Sequence, residues 1–158
     1  MAIAWDDSFA IGDDEIDADH RAMMALIGRL QTITSGLGDG EAIVSAISQL
    51  RDLCFGHFLR EEALQHRIGF PDIEAHRLGH QMLLKRLDAV LSHFAVGCDQ
   101  IRAGILRTLG DSLATWMVFH ITRGDIEMRP YVEATSRRRR GASSRRRSVT
   151  DHHPLIGA

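Results

Sequence analysis

IVSAISQLRDLCFGHFLREEAL, residues 43–64, decides what kind of chain this is. Taken at the three- and four-residue spacing of one helix face, it lines up Ile43, Ile47, Leu50, Cys54, His57, Glu61 and Leu64. Most of these are the apolar residues that a buried stripe requires, but His57 and Glu61 are not. They stand four residues apart on the same side of the helix, where a bundle would ordinarily place leucine.

Working outward, the same pattern recurs on each flank. Breaks at SGLGDG (35–40), Gly69-Phe70-Pro71-Asp72 and Gly97-Cys98-Asp99 divide the chain into four helical segments. Asp39, Asp72 and Asp99 are placed to start the second, third and fourth of them. The first segment carries Ile16, His20, Met23, Ile27 and Leu30 on its stripe. The third carries Ile73, His76, His80, Leu83, Leu87, Val90 and Phe94, and the fourth Ile105, Leu109, Leu113, Trp116 and His120. Short loops make successive helices antiparallel. The expected fold is all-α: an antiparallel up-down four-helix bundle over residues 1–133. An extended N-terminal arm containing Trp5, Phe9 and Ile11 precedes it.

Histidine thus interrupts all four core stripes. Buried without partners, these imidazoles and the Glu61 carboxylate would each cost several kcal/mol. A bound metal removes that cost by giving every imidazole nitrogen a bond and compensating the carboxylate. His20, His57, Glu61, His76, His80 and His120 are therefore candidate metal ligands. Asp125 is harder to place, since five residues beyond His120 it lies about 140° around an ideal helix. A π-type widening of the fourth helix would bring it to the same side.

Composition agrees with a helical domain and narrows the class. The 158 residues are 44% hydrophobic, only 6% aromatic and contain three prolines. No stretch approaches the roughly 18 apolar residues of a membrane span, and MAIAWDDSFAIGDDE lacks the basic start of a secretory leader, so a cytoplasmic location is expected. Cys54 and Cys98 form no metal or redox pattern and read as idle thiols. His66 and His93 lie outside this pattern and read as solvated or satisfied histidines.

The motifs DADH (17–20), HFLREE (57–62), HRLGH (76–80) and HITRGD (120–125) closely resemble the hemerythrin family, in particular its bacterial branch. The resemblance covers about residues 1–131 and matches all seven ligand positions, which supplies the case for Asp125. It implies two iron ions joined by an oxo or hydroxo bridge: His76, His80 and His120 on one, His20 and His57 on the other, Glu61 and Asp125 bridging. Two six-coordinate irons offer twelve positions, of which the five imidazoles, two bridging carboxylates and the oxygen bridge fill eleven. The open one falls on the iron held by His20 and His57, and the resemblance implies reversible dioxygen binding there. An open position distinguishes a working site from a structural one. Zinc, usually four-coordinate, fits this ligand set poorly.

Carboxylate-rich di-iron oxidases use Glu-x-x-His motifs, which this chain lacks, and a site rich in neutral imidazole favours reversible binding over oxidation. An oxygen-binding protein is therefore expected rather than an enzyme; a di-iron peroxidase or oxidase at the same open position is the rival. Trp116, Ile121, Met24 and Phe58 are candidates for an apolar oxygen pocket that excludes water. The hydroxyl of Thr122, if it lined that pocket, would admit water and speed autoxidation.

Residues 134–158 are a different kind of sequence. They hold seven arginines against the single acid Asp151, whereas 1–133 hold 12 basic and 20 acidic residues, a net charge of −8. This tail is expected to be disordered, either solvated and folded back on the acidic body or contacting nucleic acid, anionic lipid or an acidic protein. Through such a partner the chain would act as an oxygen-responsive binding module. The resemblance does not account for the tail, and nothing in the sequence sets the oligomeric state.

Overall fold

A computed structural model describes residues 3–35, 40–96 and 99–150, and side chains within 3–34, 40–95 and 108–140. It contains α1 (Asp14–Ser35), α2 (Gly40–Ile68), α3 (Ile73–Val96), α4 (Asp99–Arg123) and α5 (Arg129–Thr150), with 3-10 turns at Asp7–Phe9 and Asp125–Met128. Contacts between helices run in opposite order along the chain, as antiparallel neighbours must. Arg60 meets Asp19 and Arg67 meets Asp13 between α1 and α2. Arg77 meets Glu62 and Arg51 meets Asp88 between α2 and α3. Gln31 meets Asp111 between α1 and α4.

The helix boundaries follow local chemistry. Asp13 starts α1 by accepting from the Ile16 amide. α2 stops at Gly69, whose φ of 70° only glycine adopts readily; Phe70 N–H then reaches back to the Gln65 carbonyl at 3.0 Å. The Asp72 carbonyl accepts from His76 to open α3, whereas Asp39, Cys98 and the side chains of Asp99 and Ile105 lie outside the described residues. The N-terminal arm packs on the body as expected. Ile3, Trp5 and Phe9 cover the core, and the Asp17 carboxylate accepts from the amides of Ile11 and Gly12.

The apolar interior consists of two clusters. The larger includes Met23, Ile27, Leu30, Ile43, Ile47, Leu50, Leu87 and Leu113; the smaller comprises Ile11, Ile16, Leu64, Phe70, Met128 and Val132. On each element the residues between the clusters are polar: His20 on α1, His57 and Glu61 on α2, His76 and His80 on α3, His120 on α4 and Asp125 just beyond it. Among the described residues α3 and α4 touch least of the adjacent helices, and a groove of about 550 Å³ opens between them, running along Leu83, Leu87 and Val90 to Trp116.

Past residue 134 the backbone continues as α5 to Thr150, and 151–158, with His152 and His153, lie outside the described residues. The reason is local. Arginine and alanine are good helix formers, and a helix once started extends at little cost. The start is well fixed: Met128 and Val132 are buried, and Arg129 donates to the Ser8 carbonyl at 2.8 Å and to that of Ala10.

Candidate metal centre

All seven side chains converge on one buried layer. His20, His57, Glu61 and Asp125 have no solvent exposure, His80 and His120 are buried, and the His76 side chain is 7% exposed. Six of the seven sit at positions set by helical spacing. Asp125 does not, and the π-bulge expected for it is absent: α4 ends regularly, with Gly124 N–H on the His120 carbonyl at 2.8 Å. The chain then tightens into the 3-10 turn, which swings Asp125 inward. Only glycine fits at position 124, because a Cβ there would lie 2.8 Å from His76 Cε1 and 2.9 Å from the His120 carbonyl oxygen.

The imidazoles fall into two groups. His76, His80 and His120 form a triangle with ring centroids 4.7–5.1 Å apart, and His20 and His57 form a pair at 4.7 Å. Each carboxylate touches both groups. Glu61 lies 3.1 Å from His76 and His80 and 3.5 Å from His57. Asp125 lies 3.2 Å from His20, 3.1 Å from His76 and 3.3 Å from His120.

These are ion-pair distances, yet the atoms are not aligned as hydrogen bonds. The Nε2 atoms of all five histidines and all four carboxylate oxygens are buried without a hydrogen-bond partner. Leaving so many polar atoms unsatisfied is what a metal would correct. The spacing fits as well, since two ligands at about 2.1 Å on adjacent corners of an octahedron stand about 3.0 Å apart. Within 4.8 Å of one another, Glu61, His76, His80 and His120 offer four ligand atoms to a single ion.

The far sides of two of the rings are held, while His20 Nδ1 is buried without a partner. His57 Nδ1 faces Asp19 at 3.4 Å, and Arg60 fixes that carboxylate at 2.7 Å. His80 Nδ1 faces Glu62 at 3.2 Å, and Arg77 lies 3.4 Å from the other Glu62 oxygen. Such carboxylate–imidazole pairs set the tautomer and raise ligand basicity. Phe58 stacks on His80 at 3.8 Å and Trp116 on His120 at 4.5 Å. Met24 and Ile121 are buried in the larger cluster. Thr122, by contrast, is exposed and donates to the Val118 carbonyl at 2.7 Å, so its hydroxyl does not line the interior.

Sequence spacing missed four residues. Asp19 and Glu62 stand beside ligands within the quoted motifs, and the need of a ligating histidine for a partner on its second nitrogen was the available signal. Gly124 gave a signal only as the glycine next to Asp125. Gln65, one turn past Glu61, is fully buried with neither amide atom partnered, and nothing in sequence marked it.

Charge in this layer is strongly coupled. Burial opposes protonation of His57 and His76, but neighbouring carboxylates outweigh it and hold His57 at about 9 and His76 at about 10. Burial pushes His120 down to about 4, with Asp125 and Glu61 only partly offsetting it. Burial also works against ionising Glu61 and Asp125; the surrounding imidazoles nonetheless keep both below the usual carboxylate range. His66 and His93 are exposed, as expected, and Cys54 is a buried thiol pushed up to about 12 by desolvation.

Fold and site together define a helical bundle that binds metal through buried imidazoles and carboxylates. The hemerythrin HHE cation binding domain matches residues 11–153, and the chain belongs to the hemerythrin family. It is 31% identical over 123 residues to a bacteriohemerythrin of Stenotrophomonas maltophilia, covering 78% of this chain and 76% of that protein. It is 28% identical to a hemerythrin-like protein of Naegleria gruberi (78% and 87% covered) and 27% identical to a bacteriohemerythrin of Pseudomonas aeruginosa (78% and 76%). Among the described residues, no helix is long and apolar enough to cross a membrane.

Proposed function

We propose that this protein is a non-haem di-iron protein that binds dioxygen reversibly, in storage, delivery or sensing. His76, His80 and His120 hold one iron and His20 and His57 the other, with Glu61 and Asp125 shared between them. The observation that carries this reading is the double contact of each carboxylate: Asp125 turns Oδ1 to the three-imidazole group and Oδ2 to the pair, and Glu61 reaches His76 through Oε1 and both His80 and His57 through Oε2. When bound, the two irons would supply the electrons and the ligand position that dioxygen needs.

The chain's own residues do the rest. Asp19 and Glu62 hold His57 and His80 with Nε2 free to ligate. Phe58 and Trp116 close the side of the triangle by stacking, and with Met24 and Ile121 they keep water and protons out, which slows loss of the bound oxygen by autoxidation. The functional unit is residues 1–133.

An absorption spectrum of the iron-loaded, reduced protein before and after air tests this. A charge-transfer band that forms in air and disappears on deoxygenation is expected. Its absence with both irons bound, accompanied by catalytic turnover of hydrogen peroxide, would replace the reading with a di-iron peroxidase.

A further inference from the structure

The metal centre makes no use of α5 beyond its first turn. We propose that α5 is a nucleic-acid-binding arm that docks on the phosphate backbone of a duplex, an inference independent of the iron reading. Arg137 to Arg140 are all exposed, and among the described residues the ion pair recorded for them is Arg137 with Glu133 on the same helix, 3.7 Å apart and exposed on both sides. Arg137 to Arg140 are therefore not neutralised by described residues of the acidic body.

The arrangement of charge selects the partner. At about 100° per residue, four consecutive arginines spread around some 300° of the helix and leave no apolar face. From 134 to 150 the apolar residues are Ala134, Ala142 and Val149 alone. A helix lying on a membrane buries an apolar face, and one docking in a protein groove presents apolar anchors at three- and four-residue spacing. Neither is available here. A duplex demands neither, since phosphates surround a helix seated in its groove. The second cluster, Arg145 to Arg147, follows the first by about 11 Å at 1.5 Å per residue, close to the major-groove width of about 12 Å.

Position on the body supports the same partner. Residues 1–133 carry a net charge of −8 and repel a polyanion, so contact is confined to the arm. The arm's root is fixed by Arg129 on the Ser8 and Ala10 carbonyls and by Tyr131 edge-on to Phe70 at 5.6 Å.

Fluorescence anisotropy of the full chain with a labelled mixed-sequence 24-base-pair DNA duplex, titrated across potassium chloride concentrations, tests this. Binding should weaken steeply with salt, by about 0.9 in log K per log unit of salt for each phosphate neutralised. Replacing Arg137 to Arg140 by alanine should weaken binding at least about tenfold and flatten that slope by about three, whereas lysine at the same positions should retain most of it. Melting temperature and metal content should not move, because these side chains are exposed. A proline pair at Gly141 and Ala142, which keeps every charge but interrupts the helix, should weaken binding several-fold. An unchanged affinity in the alanine variant would overturn the arm, an unchanged affinity in the proline variant would overturn its helical docking, and equal affinity for phosphatidylserine vesicles would overturn the assignment to nucleic acid.

Discussion

The larger apolar cluster and the polar layer beneath it are built on the same four helices, yet they are stabilised in opposite ways. Leu30, Ile47, Leu50 and Leu87 are at most 1% exposed, and each contributes roughly 1.5–3 kcal/mol by leaving water, with no ligand required. His20, Glu61 and Asp125 are equally buried, but their polar atoms find no hydrogen-bond partner, so this layer draws on the stability of the other until a metal occupies it. One region folds the bundle, and the other uses it.

The contrast is broken most directly by adding and removing metal. At a thousandfold excess over Kd, bound metal should stabilise the chain by about 4 kcal/mol, raising the melting temperature by roughly 10 °C. Circular-dichroism melts with and without chelator measure this. Leu50→Ala should cost about 2–5 kcal/mol in both states and keep the metal-dependent gain, whereas His76→Leu should abolish that gain. A metal-dependent gain that survives His76→Leu would mean that the polar layer is not where the metal binds.

Gly124→Ala sharpens the point within the polar layer. Its Cβ would meet His76 at 2.8 Å, so overpacking of about 1–3 kcal/mol is expected together with loss of the metal-dependent stabilisation. The same substitution at Gly40, where nothing lies within 4 Å, should cost neither. A smaller effect is expected one step from the ligands. Glu62→Gln removes the charge facing His80 Nδ1 and should weaken metal binding about tenfold, read by competition with a chelator, with the helical content unchanged.

The pH dependence separates the two states by sign. His57 at about 9 and His76 at about 10 are raised above the unfolded value of about 6.5, so their contribution to the metal-free protein is complete below that value and lost as pH rises through 9 and 10. The metal-free melting temperature should fall between pH 7 and 10. Metal affinity should instead rise from pH 6 to 8, because ligation releases those protons. Melts across the first range and chelator competition across the second provide the measurement.

Glu61 and Asp125 show how far the sequence reaches. They play matching geometric parts, but Glu61 lies four residues from His57 on a continuous helix and was legible as the one acid on an apolar stripe. Asp125 follows a helix end and a 3-10 turn, and five-residue spacing gave the wrong device for bringing it inward. The root of the tail shows the same limit. The tail's composition has no means of forming a core, but its root at Arg129, Val132 and Tyr131 is held by contacts with Ser8, Ala10 and Phe70 that are distant in the chain.

By itself, then, the sequence determined the four helices, their antiparallel order, the apolar stripes and the six candidate ligands that interrupt them, because helical period is a local property that fixes which residues share a face. Tertiary structure alone decided the turn that delivers Asp125, the pairing of Asp19 with His57 and of Glu62 with His80, the burial of Gln65 and the direction of α5. These depend on distances between elements, which no spacing along one helix encodes.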